Sequence, residues 1–115
     1  MNKIYVKRRS NIIKELIVGI INDVIQDDRI GHISITDVEL SNDYSFSTVY
    51  YTILDDIKEK LLLVSELIEK NKKKIRLELA TKLEDIKKIP NLIFKYDTSY
   101  DNGIKIDRIL KDIKK

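Results

Sequence analysis

The residues of this 115-residue chain best suited to binding a ligand are cations, because lysine and arginine side chains attract phosphate groups. Residues 70–88 hold eight basic residues against three acidic ones, whereas residues 27–47 hold five acidic residues and one basic residue. The net charge of +3 therefore conceals two segments of opposite sign. A lysine-rich composition could also produce a merely solvated face, so composition leaves both interpretations open. The basic cluster is Lys70, Lys72, Lys73, Lys74 and Arg76, and a second group is Lys7, Arg8, Arg9 and Lys14.

The chain offers few residues for catalysis. His32, the one histidine, follows a glycine at the predicted start of a strand and is expected on the surface or in a turn. The carboxylate pairs Asp27-Asp28 and Asp55-Asp56 lie at predicted helix ends, where capping explains them better than metal binding or acid-base chemistry. There is no cysteine and no glycine-rich phosphate loop. We therefore expect neither an enzyme nor a cofactor, a metal site or a small-molecule substrate.

Length and composition predict a single domain spanning residues 1–115, with one hydrophobic core. Because cysteine is missing, nothing ties the chain to an oxidising compartment, and a cytoplasmic location is expected. The amino-terminal apolar run is interrupted by Glu15, Asn22 and Asp23, which indicates an amphipathic helix rather than a signal peptide. No stretch reaches the ~18 apolar residues of a membrane span. A protein that does not contact membranes is expected.

Residues 33–54 have the period-two pattern of a β-hairpin. The alternation that starts at Ile33 slips at Thr36-Asp37, which predicts a β-bulge there. Ser41-Asn42-Asp43 has the composition of a turn, since short polar side chains bond to nearby backbone and Asn or Asp tolerates a left-handed conformation. In the second strand one face is expected to pack against helices and the other to point outward. The packed face is Ser47, Val49, Tyr51 and Ile53, and the outward face is Phe46, Thr48, Tyr50 and Thr52.

Apolar residues at helical spacing occur on both sides of this hairpin in the sequence. Ser10 is predicted to cap a first helix that runs to about Ile25, and Asp55 or Asp56 to cap a second. A break near Asn71 would separate that helix from a third, although the spacing from Ile68 to Ile75 would also suit one continuous helix. Pro90 ends the helical region, and a strand from Leu92 to Tyr96 follows. A short C-terminal helix is predicted from Ile106, Ile109, Leu110 and Ile113.

The resulting order is helix, strand, strand, helix, helix, strand, helix, which predicts an α+β layer with the helices on one face of a three-stranded sheet. This order and several motifs resemble the ribosome-binding factor A family over nearly the whole chain. The motifs are Asp27-x-Arg29-Ile30-Gly31, Thr36-Asp37-Val38-Glu39-Leu40-Ser41-x-Asp43 with Val49-Tyr50, Ile75-Arg76-x-Glu78-Leu79-Ala80, and Pro90-x-Leu92-x-Phe94-x-Tyr96-Asp97. Two positions depart from the family pattern: Asp28 replaces a proline, and Asn71-Lys72-Lys73 replaces an Ala-x-Gly helix kink.

The resemblance implies a type II KH-like fold and a non-enzymatic maturation factor. Such a factor would bind free, immature 30S ribosomal subunits through small-subunit rRNA, as a monomer, and assist late 30S assembly and rRNA processing. It also favours phosphate binding over a merely solvated face for the two basic groups. The implied RNA-binding residues are Arg8, Arg9, Lys14, Lys70, Lys72, Lys73, Lys74 and Arg76.

Three further expectations concern Arg76, Tyr50 and the acidic edge of the hairpin. Arg76 could bind phosphate through its planar fork or pair with an acidic side chain inside the fold. Tyr50 is the aromatic residue best placed for base stacking, because it lies on the outward face. The acidic hairpin edge, with Asp37, Glu39 and Asp43, should point away from RNA or toward a basic protein. The alternative function is a protein–protein interaction module without direct RNA binding.

Overall fold

A computed structural model describes residues 3–83 and 89–98. Three strands and two helices form the regular structure of these residues. In chain order they are α1 (Lys3–Val24), β1 (Ile33–Leu40), β2 (Phe46–Ile53), α2 (Lys58–Lys82) and β3 (Asn91–Tyr96). Both helices pack on one face of the sheet, which confirms the predicted α+β architecture. The predicted helix around Ile106–Ile113 lies outside the described residues.

Helix α1 begins well before the predicted cap. Ser10 lies inside the helix and is only 4% exposed, so its predicted role as the N-cap is wrong. The reason is packing: Val6, one turn earlier, lies against the core and extends the apolar stripe of Ile13 and Ile17 toward the amino terminus. Lysine and arginine in this first stretch are also good helix formers.

The side chain of Asn22 joins the end of α1 to the start of β1 by hydrogen bonds. The amide of Asn22 donates to the Ile33 carbonyl at 2.8 Å and accepts from the Ile33 N–H at 2.9 Å, as a neighbouring strand would. The same amide group donates to the Val18 carbonyl at 3.0 Å. The two hydrogen bonds to Ile33 therefore fix the position of α1 relative to β1, while the bond to Val18 lies within α1.

The predicted hairpin is confirmed in its strands and in its bulge. Strands β1 and β2 are antiparallel, with Ile33 opposite Ile53 and Leu40 opposite Ser47, and their register shifts between Ile35 and Asp37. The turn holds a hydrogen bond from the Ser41 N–H to the Phe46 carbonyl at 2.9 Å. Its left-handed residue is Tyr44, with φ of 64°, rather than an Asn or Asp.

Strand β3 lies parallel to β2, so the sheet has the order β1-β2-β3. The pairs run from Phe46 with Asn91 to Tyr51 with Tyr96. Parallel neighbours need a crossover, and α2 forms part of that connection. The predicted inward face of β2 is confirmed, because Ser47, Val49, Tyr51 and Ile53 are all buried.

Helix α2 is one continuous helix of 25 residues, and the predicted break near Asn71 is wrong. The buried positions Val64, Ile68, Ile75 and Leu79 keep a single phase, and the Asn71 amide donates to the Leu67 carbonyl at 2.8 Å within the helix. The predicted Asp55 or Asp56 cap is also wrong, since Ile57 occupies the N-cap position. Asp55 instead forms an ion pair with Lys60 at 2.8 Å.

The core is one cluster of aliphatic side chains between the helices and the sheet. Neither of the two described helices combines the length and the apolar character that crossing a membrane would require. The largest core side chains that are fully buried are Ile13, Ile17, Ile21, Ile33, Val49, Val64, Ile68, Ile75 and Leu79.

Candidate nucleic-acid interface

The structure brings together three of the five basic residues predicted on α2. Lys72, Lys73 and Arg76 line one open groove, whose opposite wall is formed by Asn91 and Leu92 at the start of β3. We call this the α2–β3 groove. It also contains Glu69, so three cations face one carboxylate.

The other two lysines lie elsewhere on α2. Lys70 is exposed, and helical geometry places it on the side of α2 away from the buried stripe. Lys74 lines a different depression between α1 and α2, together with Asp23, Glu78 and Lys82. The positive charge is therefore concentrated in the α2–β3 groove, extends outward through Lys70, and is offset by carboxylates around Lys74.

The lysines of the α2–β3 groove keep their charge accessible to solvent. Lys72 is 3.5 Å from Glu69; the Glu69 side chain is exposed and that of Lys72 is about one-third exposed, so such an ion pair adds little to stability. Within residues 3–83 and 89–98, no carboxylate lies within ion-pair distance of Lys73. Both ammonium groups are thus free to exchange water or a weak partner for phosphate.

Arg76 has a different environment from the lysines. Its Nε donates to the Pro90 carbonyl at 3.1 Å, and its Nη2 donates to the Ile89 carbonyl at 2.9 Å. The side chain is half-buried, and it bonds to backbone acceptors rather than to an acidic side chain. One arginine therefore joins α2 to the segment that leads into β3.

The four basic residues of α1 have different surroundings. The guanidinium of Arg9 stacks over the Tyr44 ring at 4.3 Å, so it faces the hairpin turn. Arg8 is exposed beside Tyr5, 5.9 Å from its ring centre, and Lys14 is half-buried. Lys7 lines a depression that also contains Asp37 and Glu39 of β1. Arg8 is therefore an exposed cation of this group that lies away from the carboxylates near Lys7.

The outward face of the sheet is acidic. Asp37, Tyr50 and Lys95 form one row across the three strands, and Glu39 lies in the next row. Burial raises the pKa of Tyr50, and the nearby charges of Glu39, Asp37 and Asp97 raise it further. Asp97 also bonds to the Thr36 hydroxyl at the bulge. A phosphate approaching Tyr50 would meet this negative field, which disfavours the predicted base stacking there.

Asp27, one of the carboxylates considered for chemistry, has a structural partner in Arg29. Asp27 accepts from Arg29 Nε at 2.9 Å and Nη2 at 2.6 Å, and these bonds lower the pKa of Asp27 to about 2. The carbonyl of Asp27 accepts from the Ile30 and Gly31 N–H groups, with Gly31 at a φ of 67°. His32 is exposed in the following connection. Across the described ranges, no three His, Asp or Glu side chains gather as a metal site.

Sequence reasoning missed Asn91 as part of the basic site. Its exposed side chain lines the α2–β3 groove, and its backbone N–H donates to the Ser45 carbonyl at 2.8 Å. The only local signal is its position directly after Pro90, at the end of the helical region. Its proximity to Lys73 depends on the packing of α2 against β3, which no local pattern encodes.

The order α-β-β-α-β, with a parallel β2–β3 pair and both helices on one face, defines a type II KH-like domain. The model of the ribosome-binding factor A family matches residues 5–110. The chain belongs to the ribosome-binding factor A family.

One relative agrees with this assignment, and two structures share the fold. A ribosome-binding factor A of Phytoplasma mali is 49% identical over 109 residues, which are 95% of this chain and 96% of the relative. The crystal structure of ribosome-binding factor A from Thermus thermophilus has a TM-score of 0.65 at 19% identity, over 79% of this chain and 94% of that chain. A homology model of the Thermus thermophilus factor, fitted into a cryo-electron microscopy map of a 30S complex, also has a TM-score of 0.65, at 17% identity over 79% and 93% of the two chains.

Proposed function

We propose that this protein is a non-enzymatic maturation factor that binds free, immature 30S subunits through small-subunit rRNA. It acts as a monomer and a single domain, in the cytoplasm and without a cofactor, and it assists late 30S assembly and rRNA processing. Two facts support this proposal: the chain belongs to the ribosome-binding factor A family, and a homology model of a Thermus thermophilus member has been fitted into a map of its complex with the 30S subunit.

The observation that carries the proposal is the α2–β3 groove. Its lysines are the exposed Lys73 and the partly exposed Lys72, which lie on α2 and face Asn91 across the groove. Lysines at a phosphate backbone displace condensed counterions, and the gain in affinity does not depend on base sequence. The Asn91 amide can add a hydrogen bond to a phosphate or a sugar oxygen. This combination suits the backbone of a structured rRNA.

The remaining basic residues extend the contact. Lys70 continues the positive surface outward along α2, and exposed Arg8 supplies a separate cation on α1. Arg9, Lys14 and Lys74 contribute to the field rather than to direct contacts, since Arg9 already stacks on Tyr44 and Lys74 lies among carboxylates. Arg76 acts on the α2–β3 groove through its hydrogen bonds to the Ile89 and Pro90 carbonyls.

A protein can assist assembly without catalysis if it binds two arrangements of rRNA with different affinities. A factor that binds an immature arrangement of rRNA more tightly than the mature one increases the population of the immature arrangement. When maturation removes the preferred surface, the affinity falls and the factor dissociates. The fold needs only to present a fixed charged groove, which a long helix packed on a sheet provides.

Sedimentation of a cell lysate on a gradient tests this function. Wild-type protein should travel with free small subunits and be missing from assembled ribosomes. A variant with Lys72→Glu and Lys73→Glu should move to the top of the gradient, whereas Lys58→Glu, a charge reversal at an exposed position at the other end of α2, should not. Equal amounts of wild-type protein on free subunits and on assembled ribosomes would contradict the proposal.

A protein–protein interaction module is the second candidate, and the acidic outward face favours it. Asp37, Glu39 and Asp97 surround Tyr50 and could receive a basic segment of a partner protein. Naked fragments of small-subunit rRNA separate the two functions. Binding of such fragments that is lost with Lys72→Glu and Lys73→Glu supports RNA binding. Failure to bind fragments, together with loss of subunit binding in Asp37→Asn with Glu39→Gln, would establish the protein contact instead.

A further inference from the structure

Arg76 is the predicted RNA-binding residue whose surroundings differ most from the prediction. Two of its five N–H donors bond to consecutive carbonyls, those of Ile89 and Pro90, which lie just outside β3. Pro90 is fully buried, so its carbonyl has limited access to water. A half-buried guanidinium is well suited to this task, because its planar fork satisfies two acceptors at once.

The two carbonyls belong to the chain segment that builds the far wall of the α2–β3 groove. Asn91 directly follows Pro90, and its N–H holds the Ser45 carbonyl at the start of the parallel pairing with β2. Arg76 lies one helical turn after Lys72 and Lys73 on α2. The fork therefore sets the distance between the wall that carries the lysines and the wall that carries Asn91.

We infer that Arg76 is a positioning residue for rRNA binding, which holds the two walls of the α2–β3 groove in register and does not itself contact phosphate. This inference rests on the proposed function. It assigns different roles to neighbouring cations: Lys72 and Lys73 neutralise phosphate, and Arg76 fixes where they and Asn91 stand. Removing a positioning residue weakens binding without changing the number of released counterions.

The slope of binding affinity against salt distinguishes these roles. Each phosphate contact adds about 0.7 to 0.9 to the slope of log affinity against log salt concentration. Lys73→Gln should therefore lower the slope by about 0.7 to 0.9. Arg76→Gln should lower affinity by a common factor of about three to ten at every salt concentration, with the slope changed by less than half of a single contact's ~0.7.

Arg76→Lys is the decisive variant, because it keeps the positive charge and loses the fork. A single ammonium on a flexible stem does not reproduce two parallel bonds to adjacent carbonyls. We expect Arg76→Lys to lose about as much affinity as Arg76→Gln and to retain the wild-type slope. Wild-type affinity in Arg76→Lys, or a slope in Arg76→Gln as low as in Lys73→Gln, would overturn the inference.

Amide hydrogen exchange tests the fork separately from RNA binding. In the free protein, the amides of Asn91 and Leu92 should exchange faster in both Arg76 variants, while those of Ile13 and Ile17 in α1 should keep their protection and show that the core is intact. Unchanged exchange at Asn91 in both variants would show that the fork does not hold the groove. If wild-type protein fails to bind small subunits, the proposed function fails, and the exchange data still decide the structural role of Arg76.

Discussion

Asp27 and Arg29 show how two side chains of a family motif hold the geometry of a connection. The Asp27 carboxylate accepts both Arg29 guanidinium bonds and the Arg29 N–H at 2.9 Å, while its carbonyl accepts from Ile30 and Gly31. The motif thus closes the connection between α1 and β1. Asp28, which replaces the proline typical of the family, lies exposed within this connection.

The titration of Asp27 gives a first prediction. Hydrogen bonds from Arg29 lower its pKa from 3.8 to about 2, so the interaction stabilises the fold above pH 3.8 and is lost as the pH falls toward 2. Arg29→Gln should return the pKa of Asp27 toward 3.8, as measured by the chemical shift of its carboxyl carbon. A pKa that stays near its lowered value in this variant would show that Arg29 is not the cause.

Ser47 gives a second prediction at the scale of one residue. It is fully buried on the inward face of β2, and its hydroxyl lacks a hydrogen-bond partner among the described residues. Burying an unpaired hydroxyl is unfavourable, so Ser47→Ala should raise the free energy of unfolding by about 1 kcal/mol. Urea denaturation measures this change. A destabilised Ser47→Ala protein would reveal a partner for the hydroxyl.

At the scale of elements, the Asn22 bridge should be one of the most sensitive polar contacts of the fold. Asn22→Ala leaves the Ile33 N–H and carbonyl without their partner, which should lower the free energy of unfolding by about 2 to 3 kcal/mol. Asn11→Ala is a matched control, because Asn11 is exposed on the same helix. Denaturant titration of both variants should separate them clearly. Equal stabilities would contradict the bridging role.

The continuity of α2 can be tested at Asn71. In the interior of a helix alanine is favoured over asparagine, so Asn71→Ala should raise the free energy of unfolding by about 0.5 kcal/mol. If Asn71 instead ended one helix and began another, the same change would remove a left-handed cap and destabilise the protein. Thermal unfolding followed by circular dichroism distinguishes the predicted gain in stability from a loss.

The sequence predicted those elements whose residues alternate or repeat locally. The period-two pattern of β2 identified its buried face, and the phase slip at Thr36-Asp37 identified the bulge, because burial of one sheet face directly shapes both patterns. Asn71 misled the prediction because helix propensity is a weak signal beside the packing of Ile68 and Ile75. Ser10 misled it because a good capping residue can also be buried within a helix.

The α2–β3 groove, which we propose binds rRNA, was only half predictable for a related reason. Clustered lysines on α2 are visible in the sequence, but the carbonyls of Ile89 and Pro90 and the side chain of Asn91 come from a segment 13 to 15 residues beyond Arg76. Asp23, which lies near Lys74, comes from α1, about 50 residues away in sequence. Such neighbours are set by how elements pack, and charge patterning along one element does not reveal them.

For the whole molecule, charge is segregated between two surfaces. The α2–β3 groove carries the lysines, and the outward sheet face carries Asp37, Glu39 and Asp97 around Tyr50. Such a distribution orients a protein on a polyanion, because the acidic surface is repelled while the basic one is attracted. RNA is therefore expected along α2, with the outward sheet face turned away from it.

The salt dependence of binding to purified free small subunits tests the central claim most directly. Wild-type protein and the Lys58→Glu control should share one steep slope of log affinity against log salt. Lys72→Glu with Lys73→Glu should bind more weakly, with a slope lower by about 1.4 to 1.8, as expected for two lost phosphate contacts. A slope and affinity unchanged by the substitutions at Lys72 and Lys73 would contradict the assignment of the α2–β3 groove as the rRNA contact.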